Sequence, residues 1–393
     1  MMTRHDIREL SQIRFDARED CAFSFYFQPQ TPHDKSHREE SILAKDLVRQ
    51  ALREMKEKSP QKPNGGAAAI LERILDLAGN LHGNRTHAKA VFACARRNFW
   101  REFDLPPCLS RTQLFVGGHF LLRPLAELLG AQPRLGVALV DRQRARLFDL
   151  RLEELTEHEG VLHRLPRRGR SDGFAGYDAG HADRRVADET LHHFKQVADR
   201  LKEQAENGVW DKLVIGCHEN CWTEMESHLH PYVKQRFLGH FTADANSATP
   251  EQIRRKAWRI FQDSLEERRS ALVKEAVSPS RGNGHSVTGL RRVLRSLELG
   301  QVQTLLIGEN YSARAVECTF CGHLDSHLVR YCPLCGHATR ELEDVCDAII
   351  ATAARRDIEL LWVKDNPELD RVGNVAALLR YRGSEHATRR AAS

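Results

Sequence analysis

Two short motifs near the C-terminal end have the residue types and spacing to hold a metal ion. Cys318-Thr-Phe-Cys321-Gly-His and Cys332-Pro-Leu-Cys335-Gly-His are near copies, separated by the ten residues from Gly322 to Tyr331. Each is a Cys-x-x-Cys turn closed by glycine. Two such turns place four thiolates at the corners of a tetrahedron, an arrangement that suits zinc. The glycine lets the backbone curl tightly, so that amide N–H groups point at sulfur. Four sulfur ligands leave no open coordination position, so a zinc held by Cys318, Cys321, Cys332 and Cys335 would be structural and not catalytic. Disulfide pairing is the competing reading, disfavoured in a chain that reads as cytosolic. His323 and His337 follow the two pairs and could replace a ligand, but four cysteines already fill the set.

The second candidate is a basic, glycine-rich stretch. Arg164, Arg167, Arg168 and Arg170 fall within seven residues, with Gly169 among them; Gly173, Phe174, Gly176, Tyr177 and Gly180 follow, then Arg184 and Arg185. Glycines let backbone approach a crowded surface, arginines grip phosphates bidentately, and aromatic rings stack on unpaired bases. On the residues alone a solvated loop is the favoured reading, since charge runs are usually just exposed. A loop this long is nevertheless uncommon in a compact domain unless it is functional or disordered. Cys217-His-Glu-Asn-Cys221 is a weaker metal candidate. Its cysteines sit where a buried strand meets a helix and read as small packed hydrophobes, as does Cys346 on the apolar side of a later helix. His192-His193 have no nucleophile at a recognisable spacing and default to a surface role. No Ser-His-Asp or Cys-His pattern, Walker loop or Rossmann fingerprint is present.

These residues need elements to position them. A strand is expected at Cys21–Phe27, where aromatics alternate with small residues. Helices follow at about 39–58, with Leu43, Leu47, Ala51 and Met55 on one face, and at 67–77. Short strands are expected at 91–94 and 113–116, and a helix at 124–129 stopped by Gly130. A hairpin spans 135–148, turning at Asp141–Arg144. Then come the loop from 166 to 185, a helix from about Val186 to Gln204, a strand at 213–216, a helix at 222–230, a strand near Phe237 and a charged helix at 250–276. The mixed signs of that last helix mark a solvated face with helix-spaced pairs, not an RNA stripe. A linker at 278–284 precedes a helix at 287–299, a strand at 302–307, the cysteine segment, a helix at 345–355 and strands at 358–363 and 375–381. Strands alternating with helices argue for an α/β fold.

At 393 residues the chain suggests two or three domains, and 41% hydrophobic residues suffice for proper cores. A net charge of +5 permits an anionic partner without demanding one. The N-terminus has no apolar stretch behind a basic segment, so no signal peptide is expected. No run approaches the roughly 18 apolar residues of a membrane helix. Ten cysteines with one zinc-type set fit a reducing compartment, so the expected location is cytoplasmic.

Several segments together resemble the archaeal–eukaryotic class-1 peptide-chain release factors and their relative Pelota, most closely the bacterial members of that superfamily, which include a ribosome-hibernation factor. Residues 289–308, Gly-Leu-Arg-Arg-Val-Leu-Arg-Ser-Leu-Glu-Leu-Gly-Gln-Val-Gln-Thr-Leu-Leu-Ile-Gly, resemble the opening of the family's third domain. The four cysteines are similar to the zinc knuckle inserted there, and 373–382 to its C-terminal strand. Residues 137–148 resemble the first hairpin of the second domain, and 91–94 with 114–128 the bacterial form of the first. The likeness implies three consecutive α/β domains at 1–132, 133–278 and 279–393, with a small zinc-binding hairpin at 316–338 inserted in the third.

It further implies a translation factor that occupies the ribosomal A site. The first domain would lie toward the decoding centre and the loop at 166–180 toward the peptidyl-transferase centre. That loop would contact RNA through Arg167, Arg168, Gly169, Arg170, Gly173, Phe174, Gly176, Tyr177, Arg184 and Arg185. The third domain would face the stalk base or a translational GTPase such as elongation factor Tu. No membrane is implied, and the chain would be a monomer when bound.

The sequence also departs from the family. Its release factors carry Gly-Gly-Gln in the second domain, whereas 166–180 here has none. The Gly-Gly pairs, at 65–66 and 117–118, are not followed by glutamine. The family's codon-reading tetrapeptide is absent as well, with Lys35-Ser36 only a faint echo. Pelota likewise lacks Gly-Gly-Gln and works by occupancy. The expectation is therefore a non-enzymatic factor of ribosome hibernation or rescue in a stress response. The alternative is a peptidyl-tRNA hydrolase with a divergent catalytic loop.

Overall fold

A computed structural model describes residues 4–13, 21–28, 38–58, 65–80, 88–105, 112–130, 134–151, 154–158, 161–162, 177–278 and 285–381. Packing divides the chain into two compact units: Met1–Ala131 with Arg269–Ser393, and Gln132–Arg268. Both are mixed α/β.

The first unit contains two four-stranded sheets. One is antiparallel, in the order β3 (Phe99–Leu105), β2 (Ala88–Cys94), β1 (Ala22–Phe27), β4 (Gln113–Gly117). On β1 the alternation predicted at 21–27 is real, but both of its faces are covered. Phe23, Phe25 and Phe27 pack with Ala44 and Val48 of α2 (Arg38–Lys58) and Leu71 and Ile74 of α3 (Gly65–Asn80). On the other face Tyr26 meets Phe92 edge-on, and Phe92 meets Phe120. The linker helix α4 (Arg123–Gly130) follows as expected. A short helix, α1 (Arg4–Gln12), precedes the sheet and was not anticipated.

The second sheet of this unit runs β11 (Ser286–Thr288), β17 (Val375–Leu379), β12 (Val302–Gly308), β16 (Glu359–Val363), with β12 and β16 parallel. The helix expected from Val287 starts later, as α9 (Leu290–Glu298). Gly289 at φ +81° breaks the chain, and β-branched Val287 and Thr288 instead pair with β17. Helix α10 (Cys346–Arg355) carries Cys346, fully buried as expected, and packs against α1. Arg123 of α4 joins the two sheets' territories. Its guanidinium donates to the carbonyls of Glu309 and Tyr311, lies 3.6 Å from Asp344, and sits over the Trp362 ring at 5.1 Å.

The second unit is a three-layer sandwich. Its sheet runs β10 (Phe237–Thr242), β9 (Lys212–Cys217), β5 (Leu135–Val140), β6 (Arg144–Arg151), β7 (Glu154–Glu157), with β8 (Val161–Leu162) also on β6. Strands β10, β9 and β5 are parallel, and β5 turns into β6 at the expected hairpin. Phe194, Val197 and Leu201 of α5 (Tyr177–Glu206) and Met225 of α6 (Glu219–His228) cover one face. Ile253, Ala257 and Phe261 of α8 (Pro250–Val277) cover the other. The helix expected at 222–230 is α6, begun earlier at Glu219 under a His218 cap, and His230 then caps a further short helix, α7 (Pro231–Lys234), through its Nδ1.

Strand β5 has a glycine because a side chain would collide. A Cβ on Gly136 would lie 2.3 Å from Cδ2 of buried Trp210. Gly136→Ala should therefore cost about 1–3 kcal/mol by overpacking, read as a lower urea midpoint with an altered Trp emission.

Candidate metal centre and the basic loop

The four motif cysteines meet in a small three-stranded sheet of the first unit, ordered β14 (Leu324–Asp325), β13 (Ala315–Cys318), β15 (Thr339–Leu342). Each half is built alike. In the first, Gly322 N–H donates to the Cys318 carbonyl at 3.1 Å and Cys318 N–H to that of His323 at 2.9 Å. In the second, Gly336 N–H donates to Cys332 at 2.9 Å and Cys332 N–H to His337 at 2.8 Å. The turn closes only if the residue after the second cysteine is left-handed, and Gly322 and Gly336 adopt φ +73° and +74°. Thr319 ties the halves together, its N–H donating to the Ala338 carbonyl at 3.1 Å and its Oγ1 at 2.8 Å.

The ligand atoms of all four cysteines lie within 4.8 Å of one another. The sulfurs of Cys318 and Cys335 are 3.4 Å apart, those of Cys321 and Cys332 3.7 Å, and those of Cys335 and Cys321 3.5 Å. A disulfide would need about 2 Å. Sulfurs about 2.3 Å from one tetrahedral ion would stand roughly 3.8 Å apart. The arrangement can therefore hold a metal ion, and it fits tetrahedral sulfur coordination better than two bridges.

Electrostatics point the same way. Desolvation works to raise the Cys318 thiol, but N–H groups of Cys321 and Phe320 and the Cys335 and Cys321 thiols override it and hold Cys318 at about 6. The Cys321 thiol is pushed up to about 12 by desolvation, then by the Cys335, Cys318 and Cys332 thiols. Four thiols this close resist ionising together, a conflict a bound cation removes. The histidines stand outside the set: His323 Nδ1 lies 2.9 Å from Glu298 Oε1, and His337 Nδ1 lies 3.1 Å from the Cys335 carbonyl.

Replacing Gly322 forces a side chain into the left-handed region. Gly322→Ala should cost about 1–2 kcal/mol and lower metal affinity accordingly, measured by competition with a chromogenic chelator.

The basic loop is a different matter. Arg167, Arg168, Gly169, Arg170, Gly173, Phe174 and Gly176 lie outside the described residues. Helix α5 starts at Tyr177, not at Val186, so the backbone of Tyr177, Arg184 and Arg185 is helical where a loop was expected. The run Asp178-Ala-Gly-His-Ala-Asp183 hides its helical character from composition because glycine and aspartate are poor helix formers.

The other candidates resolve simply. Cys217 and Cys221 are buried, as expected for packed thiols, and burial pushes Cys217 up to about 12. His193, expected on the surface, is wholly buried on α5. Sequence reasoning overlooked Arg123, whose partners are contributed by distant segments. No described helix is long and apolar enough to cross a membrane.

Residues 121–262 match the model of bacterial archaeo-eukaryotic release factor family 10. Peptide chain release factor subunit 1 of Pyrococcus abyssi is 23% identical over 95% of this chain and 91% of its own length. The same factor of Methanocaldococcus jannaschii is 24% identical over 70% of the chain and 73% of its own length. Among solved structures, an archaeal translation termination factor aligns over 97% of this chain and 99% of its own, at 16% identity and a TM-score of 0.25. Archaeoglobus fulgidus Pelota aligns over 96% and 92%, at 11% identity and a TM-score of 0.34.

Proposed function

We propose that this chain is a member of the release factor and Pelota superfamily and a ribosome-binding translation factor that acts without Gly-Gly-Gln-dependent peptide release, a reading supported by its match over residues 121–262 and its near full-length likeness to an archaeal release factor. The observation that carries this reading is a family match spanning the middle of the chain combined with a 166–180 loop that lacks Gly-Gly-Gln. The proposed organisation is three α/β domains at 1–132, 133–278 and 279–393. The factor would occupy the A site of the bacterial ribosome, in hibernation or rescue, as a cytoplasmic protein. Arg167, Arg168, Gly169, Arg170, Gly173, Phe174, Gly176, Tyr177, Arg184 and Arg185 are proposed to contact ribosomal RNA. A translational GTPase such as elongation factor Tu is the proposed partner of the third domain.

The metal we assign to Cys318, Cys321, Cys332 and Cys335 is zinc, supported by four sulfur donors at tetrahedral spacing. Bound there it would supply no reactive position; it would fix the hairpin.

Co-sedimentation with vacant bacterial ribosomes, stepped from low to physiological salt, tests the reading. Stoichiometric binding that survives physiological salt is expected, and absence of binding at every salt would overturn it. The named activity of the relatives keeps one alternative open, a peptidyl-tRNA hydrolase that orients water without glutamine. Incubation with ribosomes carrying peptidyl-tRNA separates the two: the proposal expects no released peptide where a true release factor releases it.

A further inference from the structure

We propose that Cys321 and Cys335 are a site of reversible oxidation by peroxide, at which a disulfide between the two knuckle turns forms and expels the metal. The inference rests on the metal assignment above and adds a modification to it. The two turns divide their cysteines alike. The first of each, Cys318 and Cys332, is buried at 2 and 3% exposure, while the second faces water, Cys321 exposed and Cys335 half-buried. Those two outward sulfurs come from different turns and stand 3.5 Å apart. Closing that gap to a bond of about 2 Å needs only a small side-chain movement.

Reactivity toward an oxidant follows thiolate character and access. Metal coordination requires all four sulfurs to be ionised, so what separates them is what else surrounds each. The Cys318 sulfur takes two backbone N–H groups, from Cys321 at 3.5 Å and from Phe320, which draw off its charge. Cys321 takes one, from His323, and Cys335 one, from His337. Fewer donors leave more charge on sulfur, and exposure lets the oxidant arrive. Cys217 makes the contrast. It is buried, and burial pushes its thiol up to about 12, so it stays neutral and inert.

The chemistry balances with hydrogen peroxide as the oxidant. The Cys321 thiolate attacks one peroxide oxygen, the O–O bond breaks, and a sulfenic acid forms as hydroxide leaves. The Cys335 thiolate then attacks the Cys321 sulfur, forming the S–S bond and displacing a second hydroxide. Two electrons pass from sulfur to peroxide, and two protons from solvent turn both hydroxides into water. Cys318 and Cys332 are left as two ligands for an ion that takes four, so the ion departs. A dithiol reductant reverses the bond, and in a reducing compartment the disulfide persists only while oxidant does.

The test uses the full chain loaded with zinc, its content fixed by elemental analysis, and hydrogen peroxide in the presence of a chromogenic chelator. Peroxide should release the ion, and peptide mapping after thiol alkylation should find Cys321 joined to Cys335. Dithiothreitol followed by zinc should restore the loaded chain. Cys321→His keeps a fourth ligand, since three cysteines and a histidine also hold zinc, and should lose the rapid release. Cys318→His should keep it. A first disulfide between any other pair, or release from Cys321→His as rapid as from the unaltered chain, overturns the proposal. If Cys321→His holds no metal, the disulfide map of the unaltered chain decides alone. Zinc that peroxide does not dislodge overturns the oxidation site while leaving the metal assignment standing. A chain that binds no zinc at all overturns both.

Discussion

Cys332→Ser should release the bound metal and unfold the hairpin from Ala315 to Leu342, while the sheet formed by β11, β17, β12 and β16 persists. Changes to groups that merely support metal ligands cost about 10–100-fold in affinity, so losing a ligand outright should exceed that range. In this hairpin the metal is also the main source of order. Strand β14 has two residues, and the apolar side chains of the turns face water instead of a core. Binding energy and folding energy are then largely the same quantity, as in other small metal-built folds. Elemental analysis should find about one zinc per unaltered chain and none in the variant. Exchange of backbone amides should accelerate between 315 and 342 alone. Cys217→Ala, at a buried cysteine in the other unit, should keep its metal. A variant that keeps its metal, or an unaltered chain with no metal and two disulfides, would refute the assignment.

The second large effect is expected from the basic loop. Arg167→Ala, Arg168→Ala and Arg170→Ala together should weaken ribosome binding by about two orders of magnitude at low salt, taking each lost phosphate contact as worth roughly 1 kcal/mol. The more telling change is in the salt dependence. Each neutralised phosphate contributes about 0.7 to 0.9 to the slope of log affinity against log salt, so three should remove about two units. A uniform loss with the slope unchanged would mean that the arginines act through folding. No loss at all would remove the loop from the interface.

How much of this was legible in advance depended on how local the information was. The metal set was readable because ligands, glycines and turn geometry lie within nineteen residues, Cys318 to Gly336. The long helices and buried strands were readable from their apolar period. Strand β3 was missed because it is an edge strand whose Arg101, Glu102 and Asp104 face water, which erases the apolar signal. Helix α1 was missed because Ile7 and Leu10 find their apolar partners only in the folded chain, where α1 meets α10. Arg123 shows the limit most clearly. Its acceptors lie 186 and 188 residues away in sequence, and nothing near it in the chain announces them. The loop at 166–176 remains a reading of composition and resemblance.

The first unit is assembled from the two ends of the chain, with the second unit inserted between them. During synthesis this imposes an order. The segment up to Ala131 emerges first, yet Glu309, Tyr311, Asp344 and Trp362, the groups that engage Arg123, do not yet exist. At about 5–20 residues per second the wait is on the order of ten seconds or more. The inserted unit, continuous from 132 to 268, can fold meanwhile. The faces of α1 and α4 that α10 and β16 will cover remain wet throughout that interval. A nascent chain arrested near residue 305, long enough for the middle unit to have left the ribosome but short of Glu309, should therefore show a protease-resistant middle and a sensitive beginning, the reverse of the order in which they were made.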